Sequence, residues 1–299
     1  MAGTKGYLLC SGLKQIQRRC MESPVEDHYH SQNLSQRIQD ALIKSDKHIR
    51  PLNTKDLAVV DQLHTGGAPA TLRLLGKTNL SKERNPAKQF HVLDAGCGIG
   101  GSSRLLAKTF HWRVTGIDLS PVFVETARDL THWCELDSFI DYELGSVLNM
   151  PFKTDTFDAI LCQHTLMNIQ DKQTTLEEFY RVLKPGGSLV LHEIFQGENK
   201  TIILPVPWAG DPEISFLLPW EEFEPFLSGP GFTLDHFSDE TQTASAGWQR
   251  VEAAGTHKKP RPLSPYLVFG PNAAFNAINM VKNFKNNSIQ CIEAVYKKS

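Results

Sequence analysis

A glycine-rich turn between two predicted strands is the feature of this sequence that most directly suggests chemistry. The turn is Asp94-Ala-Gly-Cys-Gly-Ile-Gly100, and Asp118 follows eighteen residues later at the end of the next predicted strand. Glycines allow the backbone to pass close to a ligand. An acid at the tip of the second strand can accept hydrogen bonds from both hydroxyls of a ribose. The pattern therefore predicts a binding site for a cofactor that contains a nucleoside.

The spacing of these glycines distinguishes between two kinds of cofactor. Dinucleotide-binding turns have the spacing G-x-G-x-x-G and hold a pyrophosphate. Here the spacing is G-x-G-x-G, and Asp94 stands immediately before it. A carboxylate at that place repels a pyrophosphate and suits a ligand with a positive amino group. The turn therefore favours S-adenosylmethionine, which carries an amino acid, a sulfonium and an adenosine without phosphate, over a nicotinamide dinucleotide.

Further motifs follow in the order D-A-G-C-G-I-G-G, G-I-D-L-S, N-M-P-F and R-V-L-K-P-G-G. Over residues 90–195 this series resembles the class I S-adenosylmethionine-dependent methyltransferases. In that family an acid usually stands where this chain has Ser146, and a serine accepts a hydrogen bond from adenine more weakly. The residues that the turn and the resemblance together assign to cofactor binding are Asp94, Gly96, Cys97, Gly98, Gly100, Asp118, Leu119, Ser146, Val147 and Gln163.

Alternating strand and helix patterns predict an α/β fold with a mostly parallel sheet. The resemblance makes this a Rossmann-like sheet of seven strands, the last of them antiparallel. Strands are expected at 91–95, 113–118, 139–144, 157–162, 187–195, 232–238 and 289–297, and helices at 101–109, 121–134, 172–183, 241–255 and 271–285. Before them we expect a flexible extension (1–27) and a helical cap with a linker (28–89). The methyltransferase domain (90–299) includes a proline-rich, aromatic insertion after the fifth strand (197–230), which we interpret as a substrate lid.

The composition excludes some classes of partner. The 299 residues are 40% hydrophobic and 21% charged, with a net charge of −2, so no electrostatic attraction to nucleic acid or to a membrane surface is expected. No run has the length of a membrane span. The six cysteines lack any C-x-x-C pair, which favours a reducing, cytoplasmic setting. Residues 1–21 hold four basic residues and no acid, so a weak organelle presequence is the alternative to a disordered terminus. The oligomeric state is not predicted.

The methyl acceptor must be identified from segments outside the shared core. Those at 60–67, 162–169, 204–209 and 267–271 resemble sarcosine/dimethylglycine N-methyltransferases, which make glycine betaine. The resemblance implies a small amine as the substrate. The alternative is a C-methyltransferase that acts on a quinone-like or lipid ring, which needs a base and a wide apolar pocket. A noncatalytic binding module is a third possibility, and the intact glycines and Asp118 argue against it.

Methyl transfer is an in-line displacement, so the enzyme mainly positions its two partners. No metal is needed, and no metal-ligand spacing is present in the sequence, although side chains distant in sequence can still meet in space. His164 and Asn168 follow the fourth strand, where His164 can orient the amine or accept its proton. His64 lies in a loop that caps the cofactor, whereas His192, inside a strand, is expected to be structural.

The expected product and substrate suggest two further kinds of residue. Aromatic rings stabilise a quaternary ammonium product, and the aromatic candidates are Tyr29, Trp208 and Trp220. A substrate carboxylate calls for an arginine, and the candidates are Arg37, Arg50 and Arg73.

Overall fold

Three helices precede the sheet in the computed structural model, which describes residues 24–25, 28, 33–78, 80, 89–255 and 261–299. They are α1 (Leu34–Ile43), α2 (Thr54–Asp61) and α3 (Gly67–Leu75). Leu34, Ile38 and Leu42 lie on one face of α1 and are fully buried, as their four-residue spacing predicts. Most of the predicted N-terminal extension and of the linker lies outside the described residues.

Seven strands form one sheet, which confirms the predicted fold. They are β1 (His91–Ala95), β2 (Arg113–Asp118), β3 (Ile140–Leu144), β4 (Phe157–Gln163), β5 (Leu183–Gln196), β6 (Phe232–Asp239) and β7 (Ile289–Lys298). Their order across the sheet is β3-β2-β1-β4-β5-β7-β6. The first five strands are parallel, and β7 runs antiparallel between β5 and β6. The order reverses between β1 and β4, which in open α/β sheets is the usual place for a ligand.

The longer helices of the domain cover both faces of this sheet. They are α4 (Gly101–Phe110), α5 (Pro121–Trp133), α6 (Lys172–Val182), α9 (Thr241–Gly255) and α11 (Ala273–Lys285). These bounds agree with the predicted ranges to within two residues. Strand β5 begins earlier than expected, because Leu183 already pairs with Phe157 before the irregularity that precedes Ser188.

The insertion after β5 contains only short elements. Helices α7 (Trp220–Phe223) and α8 (Pro225–Ser228) follow a 3-10 turn (Pro212–Ile214), and a further short helix, α10 (Tyr266–Phe269), precedes α11. Val206, Trp208 and Ile214 are buried in a cluster with Ile194 of β5 and Met280 of α11. The insertion is therefore packed against the sheet and is not a solvated connector.

A buried ion pair joins the helical cap to the α/β core. Arg104 of α4 donates from Nη2 to Asp61 Oδ2 at the end of α2 over 2.9 Å, and both side chains are shielded from water. The same guanidinium also reaches the carbonyl oxygen of Ile99 at 2.8 Å and the hydroxyl of Thr131 at 3.2 Å. Gly101 belongs to this junction, since a Cβ there would lie 2.1 Å from the Asp61 carbonyl oxygen. Within the described residues, no helix is both long and apolar enough to cross a membrane.

Candidate active site

A continuous cleft opens above the carboxyl ends of β1, β2 and β4. Its empty volume, including the open mouth, is about 1350 Å³. Its wall includes all but one of the ten residues assigned to cofactor binding: Asp94, Gly96, Cys97, Gly98, Asp118, Leu119, Ser146, Val147 and Gln163. The cleft therefore brings nearly all of the assigned residues together around one cavity.

Gly100 is the exception, because it does not line the cleft. Its φ is +80°, and a Cβ there would lie 2.2 Å from the Tyr142 hydroxyl and 2.8 Å from Arg104. Gly100 is therefore needed for packing between the turn and β3. Sequence spacing alone could not separate this role from ligand contact, since both demand glycine.

The backbone amides of the glycine turn are already used within the protein. The N–H groups of Gly96 and Cys97 both donate to the Ile117 carbonyl, at 2.9 and 3.0 Å. The N–H of Gly98 donates to Asp118 Oδ2 at 2.8 Å. A pyrophosphate site needs such amides to point at the phosphate oxygens. The geometry of the turn therefore supports the prediction of a cofactor without phosphate.

Two carboxylates stand on either side of this turn. Asp118 accepts from the N–H of Gly98 and, through Oδ1, from the N–H of Ser120 at 2.9 Å. These bonds hold the carboxylate at the cleft wall, and burial raises its pKa. Asp94 accepts from the Ser103 hydroxyl at 2.6 Å, and burial raises its pKa to about 6. A cationic amino group beside Asp94 would restore its charged form, and such a group is present at the methionine end of S-adenosylmethionine.

Ser146 and Gln163 are further polar residues assigned to the cofactor, and both form hydrogen bonds within the protein. The Ser146 hydroxyl accepts from the N–H of Leu148 at 3.1 Å and so supports its own loop. Gln163 is held deeper in the cleft, where its Oε1 accepts from the hydroxyls of Ser102 at 2.9 Å and Thr71 at 3.2 Å. Burial raises the pKa of the Cys97 thiol well above its usual value, in keeping with a small wall residue and not a nucleophile.

The loop after β4 carries the second half of the site. His164 adopts the left-handed backbone region, with a φ of +52°. Glu193 of β5 fixes the loop, because its fully buried carboxylate accepts from the N–H groups of Thr165 at 3.0 Å and Leu166 at 3.2 Å. Burial raises the pKa of Glu193 to about 7. The sequence analysis missed this residue because it lies in a strand, 27 or more positions from the groups it binds.

Side-chain hydrogen bonds connect the loop after β4 to the insertion, which the sequence analysis interpreted as a substrate lid. Asn168 donates from Nδ2 to the carbonyls of Trp208 and Ile214, both at 2.8 Å. Lys172 Nζ donates to the carbonyls of Leu166, Ile169 and, at 3.0 Å, Phe216. The Trp208 indole N–H donates to the Ser215 hydroxyl at 3.0 Å. Asn168 thus holds the insertion in place through hydrogen bonds, and Trp208 forms part of the cleft wall.

The side chains of His64, His164, His192 and Cys291 are far apart in the sequence but lie close together in the structure. The ring centroids of His164 and His192 are 5.0 Å apart, and His64 lies 6.3 and 5.7 Å from them. His192 Nε2 is 3.4 Å from Cys291 Sγ. Burial lowers the pKa of His64 to about 4 and lowers those of His164 and His192 well below the usual value. The three imidazoles are therefore uncharged at neutral pH.

The charged residues of the cleft wall do not match the expectation that an arginine binds a substrate carboxylate. Among the described residues that line it, four are acidic (Asp61, Asp94, Asp118 and Asp171) and none is lysine or arginine. Of the three arginine candidates, Arg73 pairs with Glu293 and lies 3.5 Å from Glu240, and neither Arg37 nor Arg50 lines the cleft. The described part of the wall thus offers no side-chain cation to a carboxylate.

The aromatic candidates differ in whether the structure places them in the cleft wall. Trp208 lines the cleft together with Phe216 and Phe269, which the sequence analysis did not select. Trp220 instead packs against Phe195, Phe223 and Phe237. Tyr29 lies outside the described residues. Its neighbour His28 contacts the Pro207 carbonyl at 3.3 Å, so the start of the described chain lies against the insertion.

Comparison with known proteins supports a methyltransferase core. Residues 93–191 match the methyltransferase domain family. A glycine/sarcosine/dimethylglycine N-methyltransferase of Actinopolyspora halophila is 29% identical over 166 residues, which are 56% of this chain and 28% of that protein. A 2-methyl-6-phytyl-1,4-hydroquinone methyltransferase of Synechocystis is 33% identical over 160 residues, 52% of this chain and 49% of that protein. The matched region thus spans less than half of either relative.

A solved structure shares the fold over a longer stretch. The phosphoethanolamine N-methyltransferase 2 of Haemonchus contortus in complex with S-adenosyl-L-methionine superposes with a TM-score of 0.65 at 19% identity, covering 87% of this chain and 60% of that one. S-adenosylmethionine is the cofactor of this family of domains, as the sequence predicted. The names of these relatives include two N-methyltransferases and a hydroquinone methyltransferase, so similarity leaves the acceptor to the chemistry of the cleft.

Proposed function

We propose that this protein, whose residues 93–191 form a methyltransferase domain, methylates the nitrogen of a small amine such as sarcosine or dimethylglycine. S-adenosylmethionine, when bound, supplies a methyl group on a sulfonium. Asp94, the turn and Asp118 would hold the amino acid and ribose parts of the cofactor. The amine would lie against the loop after β4, so that its lone pair faces the methyl group. Positioning of this kind is the main contribution that a methyltransferase has to make.

The observation that carries this proposal is that uncharged imidazoles and aromatic rings line the same cleft. His64 and His164 share its wall with Trp208, Phe216 and Phe269. Neutral rings do not repel the ammonium that forms on nitrogen, and aromatic faces attract such a cation. His164, held at a positive φ, would orient the amine through a hydrogen bond. The neutral form of dimethylglycine has no N–H, so the transfer of the methyl group to it requires no base.

C-methylation of a quinone-like ring is the second candidate, and one feature favours it. Met167, Phe216 and Phe269 make part of the wall apolar, which suits a ring with a hydrocarbon substituent. That reaction needs a base for the ring proton. The low pKa values of the histidines make them weak bases, which favours the amine instead.

A methylation assay tests the choice between these candidates. The purified protein and S-adenosylmethionine are incubated with sarcosine, dimethylglycine, other small amines or a quinone analogue, and S-adenosylhomocysteine is measured. We expect turnover with an amine and a rate that rises with pH as the substrate amine loses its proton. Turnover of the quinone analogue alone would reject the amine proposal. Calorimetry that detects no binding of S-adenosylmethionine would reject both enzyme assignments.

A further inference from the structure

The cluster beside the cleft combines ligand types that suit a transition metal. His164 follows β4, His192 lies within β5 and Cys291 lies within β7, and one ligand atom from each lies within 4.8 Å of the other two. The three strands are neighbours in the sheet, in the order β4-β5-β7. His192 pairs with Glu293, and Ile194 pairs with Cys291, so His192 and Cys291 project from the same face of the sheet.

We propose that His164, His192 and Cys291 bind one Zn²⁺ ion and leave its fourth coordination position open to the cleft. Imidazole nitrogen and thiolate sulfur are preferred zinc ligands, with bonds of about 2.0 to 2.3 Å, and three protein ligands with one open position are typical of catalytic zinc. Tetrahedral bonds of that length place ligand atoms roughly 3.3–3.8 Å apart. The 3.4 Å between His192 Nε2 and Cys291 Sγ already meets this requirement.

His164 has to move by about 1 Å to complete the ligand set, given the 4.8 Å span of the cluster and the tetrahedral spacing. The N–H of Thr65 contacts His164 Nε2 at 3.4 Å. A hydrogen bond of that length is weak, so a metal ion can displace it. His64 stays outside the ligand set because its Nε2 is 2.9 Å from the Thr71 hydroxyl. The cleft-facing position of His164 gives the ion an entry path.

The charges around the cluster are mixed. Burial and the carboxylates of Glu293, Glu240 and Glu193 raise the pKa of the Cys291 thiol, so its thiolate would form only with a bound cation. Arg73 pairs with Glu293 and lies 3.5 Å from Glu240. The imidazoles are uncharged, which is the form that binds metals. Binding would release the thiol proton of Cys291 to water and form a metal–thiolate bond, with no change of oxidation state.

Gln163 would orient the ring of His192 through Nδ1, the ring nitrogen that does not bind the metal. The Gln163 amide nitrogen is now 3.2 Å from His192 Nδ1. A metal on Nε2 requires the ring proton on Nδ1. The carboxamide would then turn over, so that its oxygen accepts from Nδ1 and its NH₂ donates to the hydroxyls of Ser102 and Thr71. A hydrogen-bonded partner of this kind behind a histidine ligand orients the ring.

The open position would take the carboxylate of the methyl acceptor, and this step rests on the proposed function. An amino acid substrate needs a positive partner, and the described wall supplies four aspartates without a lysine or arginine. A zinc ion at His164, which lines the cleft, would provide that charge. In this arrangement His164 orients the acceptor through the metal.

Cobalt substitution tests the metal site without relying on activity. The full chain is treated with a chelator and titrated with Co²⁺, and the thiolate-to-cobalt charge-transfer absorption is followed. We expect one Co²⁺ per chain, displaced by Zn²⁺. Cys291→Ser should abolish the charge-transfer band, and the matched change Cys134→Ser, at a buried cysteine elsewhere, should retain it. If Cys291→Ser does not fold, X-ray absorption of the zinc-loaded wild type should detect one sulfur and two imidazole ligands.

Two results would overturn the metal site: no charge-transfer band in the wild type, or a band that persists in folded Cys291→Ser. The carboxylate step is tested separately on the cobalt-loaded protein. Dimethylglycine should perturb the cobalt spectrum, whereas dimethylethylamine, which lacks the carboxylate, should not. An unchanged spectrum rejects the carboxylate step alone. Cobalt binding by a protein that methylates no amine would reject the proposed function and support the metal site.

Discussion

The amide of Asn168 donates a hydrogen bond of 2.8 Å to the backbone carbonyl of Trp208 and joins the loop after β4 to the insertion after β5. These two residues were both predicted to act on the substrate. The bond shows how they depend on each other, because Asn168 sets the position of the wall that Trp208 forms. A change at either residue should therefore alter acceptor binding more than cofactor binding.

Asn168→Ala should raise the KM for the acceptor, since it removes the donors for the Trp208 and Ile214 carbonyls. Trp208→Phe is the milder change, because it keeps an aromatic ring and removes the bond to Ser215 with only part of the buried ring volume. Trp208→Ala would also create a core cavity worth about 3–5 kcal/mol. Steady-state kinetics and calorimetry with the cofactor measure the two effects. Equal losses of acceptor and cofactor affinity would mean that the wall is only structural.

Asp118→Ala should weaken the binding of S-adenosylmethionine by tens-fold or more. Hydrogen bonds from a ribose to a carboxylate are worth about 2–3 kcal/mol together. The change also leaves the N–H groups of Gly98 and Ser120 without their acceptor, so Asp118→Asn, which keeps an oxygen, is measured beside it. Calorimetry gives the dissociation constants, and circular dichroism monitors folding. A folded Asp118→Ala protein with wild-type affinity would show that the ribose binds elsewhere.

Gly96→Ala should be more destabilising than its backbone angle alone explains. A Cβ at Gly96 would lie 2.2 Å from the Thr165 hydroxyl, so the substitution pushes the loop after β4 away from the turn. Gly186→Ala is the matched control, since its φ of +72° is nearly the same and nothing lies within 4 Å of the added carbon. The control should cost about 1–2 kcal/mol and leave cofactor affinity unchanged. If Gly96→Ala and Gly186→Ala lose equal stability in denaturant melts, Thr165 moves aside without an energetic penalty.

Glu193→Gln should flatten the pH dependence of stability. Folding raises the pKa of this carboxyl from 4.5 to about 7, so the folded state holds the proton more tightly than the unfolded state. The free energy of unfolding should then fall as the pH rises from about 4.5 to about 7. The loss attributed to Glu193 is on the order of 3 kcal/mol. Urea melts across this range measure it, with exposed Glu125→Gln as the control. A fall of the same size in Glu193→Gln would assign the effect to other groups.

Arg104→Met should destabilise the protein by about 3–5 kcal/mol, because it leaves the buried Asp61 carboxylate without its partner. Adding Asp61→Leu should recover part of that loss. The exposed pair Arg113–Asp141, at 3.3 Å, is the control, and Arg113→Met should change stability by less than about 1 kcal/mol. If the double variant loses the sum of the two single losses, the cap and the core are not coupled through this ion pair.

Local pattern predicted the strands and helices, and the family resemblance predicted how they assemble into the sheet. Seven strands, the long helices between them and the glycine turn all follow from alternating apolar runs and from glycines at fixed spacing, because these depend on neighbouring residues. The turn and the family resemblance together selected Asp118 and eight other residues that line the cleft. They also assigned Gly100 to the ligand, whereas that glycine makes room for Tyr142 of β3.

Contacts between distant parts of the chain decided the rest. Glu193 holds the loop after β4 through a carboxylate that lies in a different strand. His192 and Cys291 are 99 positions apart and become neighbours only because β7 inserts beside β5. No spacing along the chain encodes such a cluster, since the order of strands in the sheet creates it. The sequence thus determined the fold and the cofactor class, and the tertiary structure determined which side chains face the acceptor.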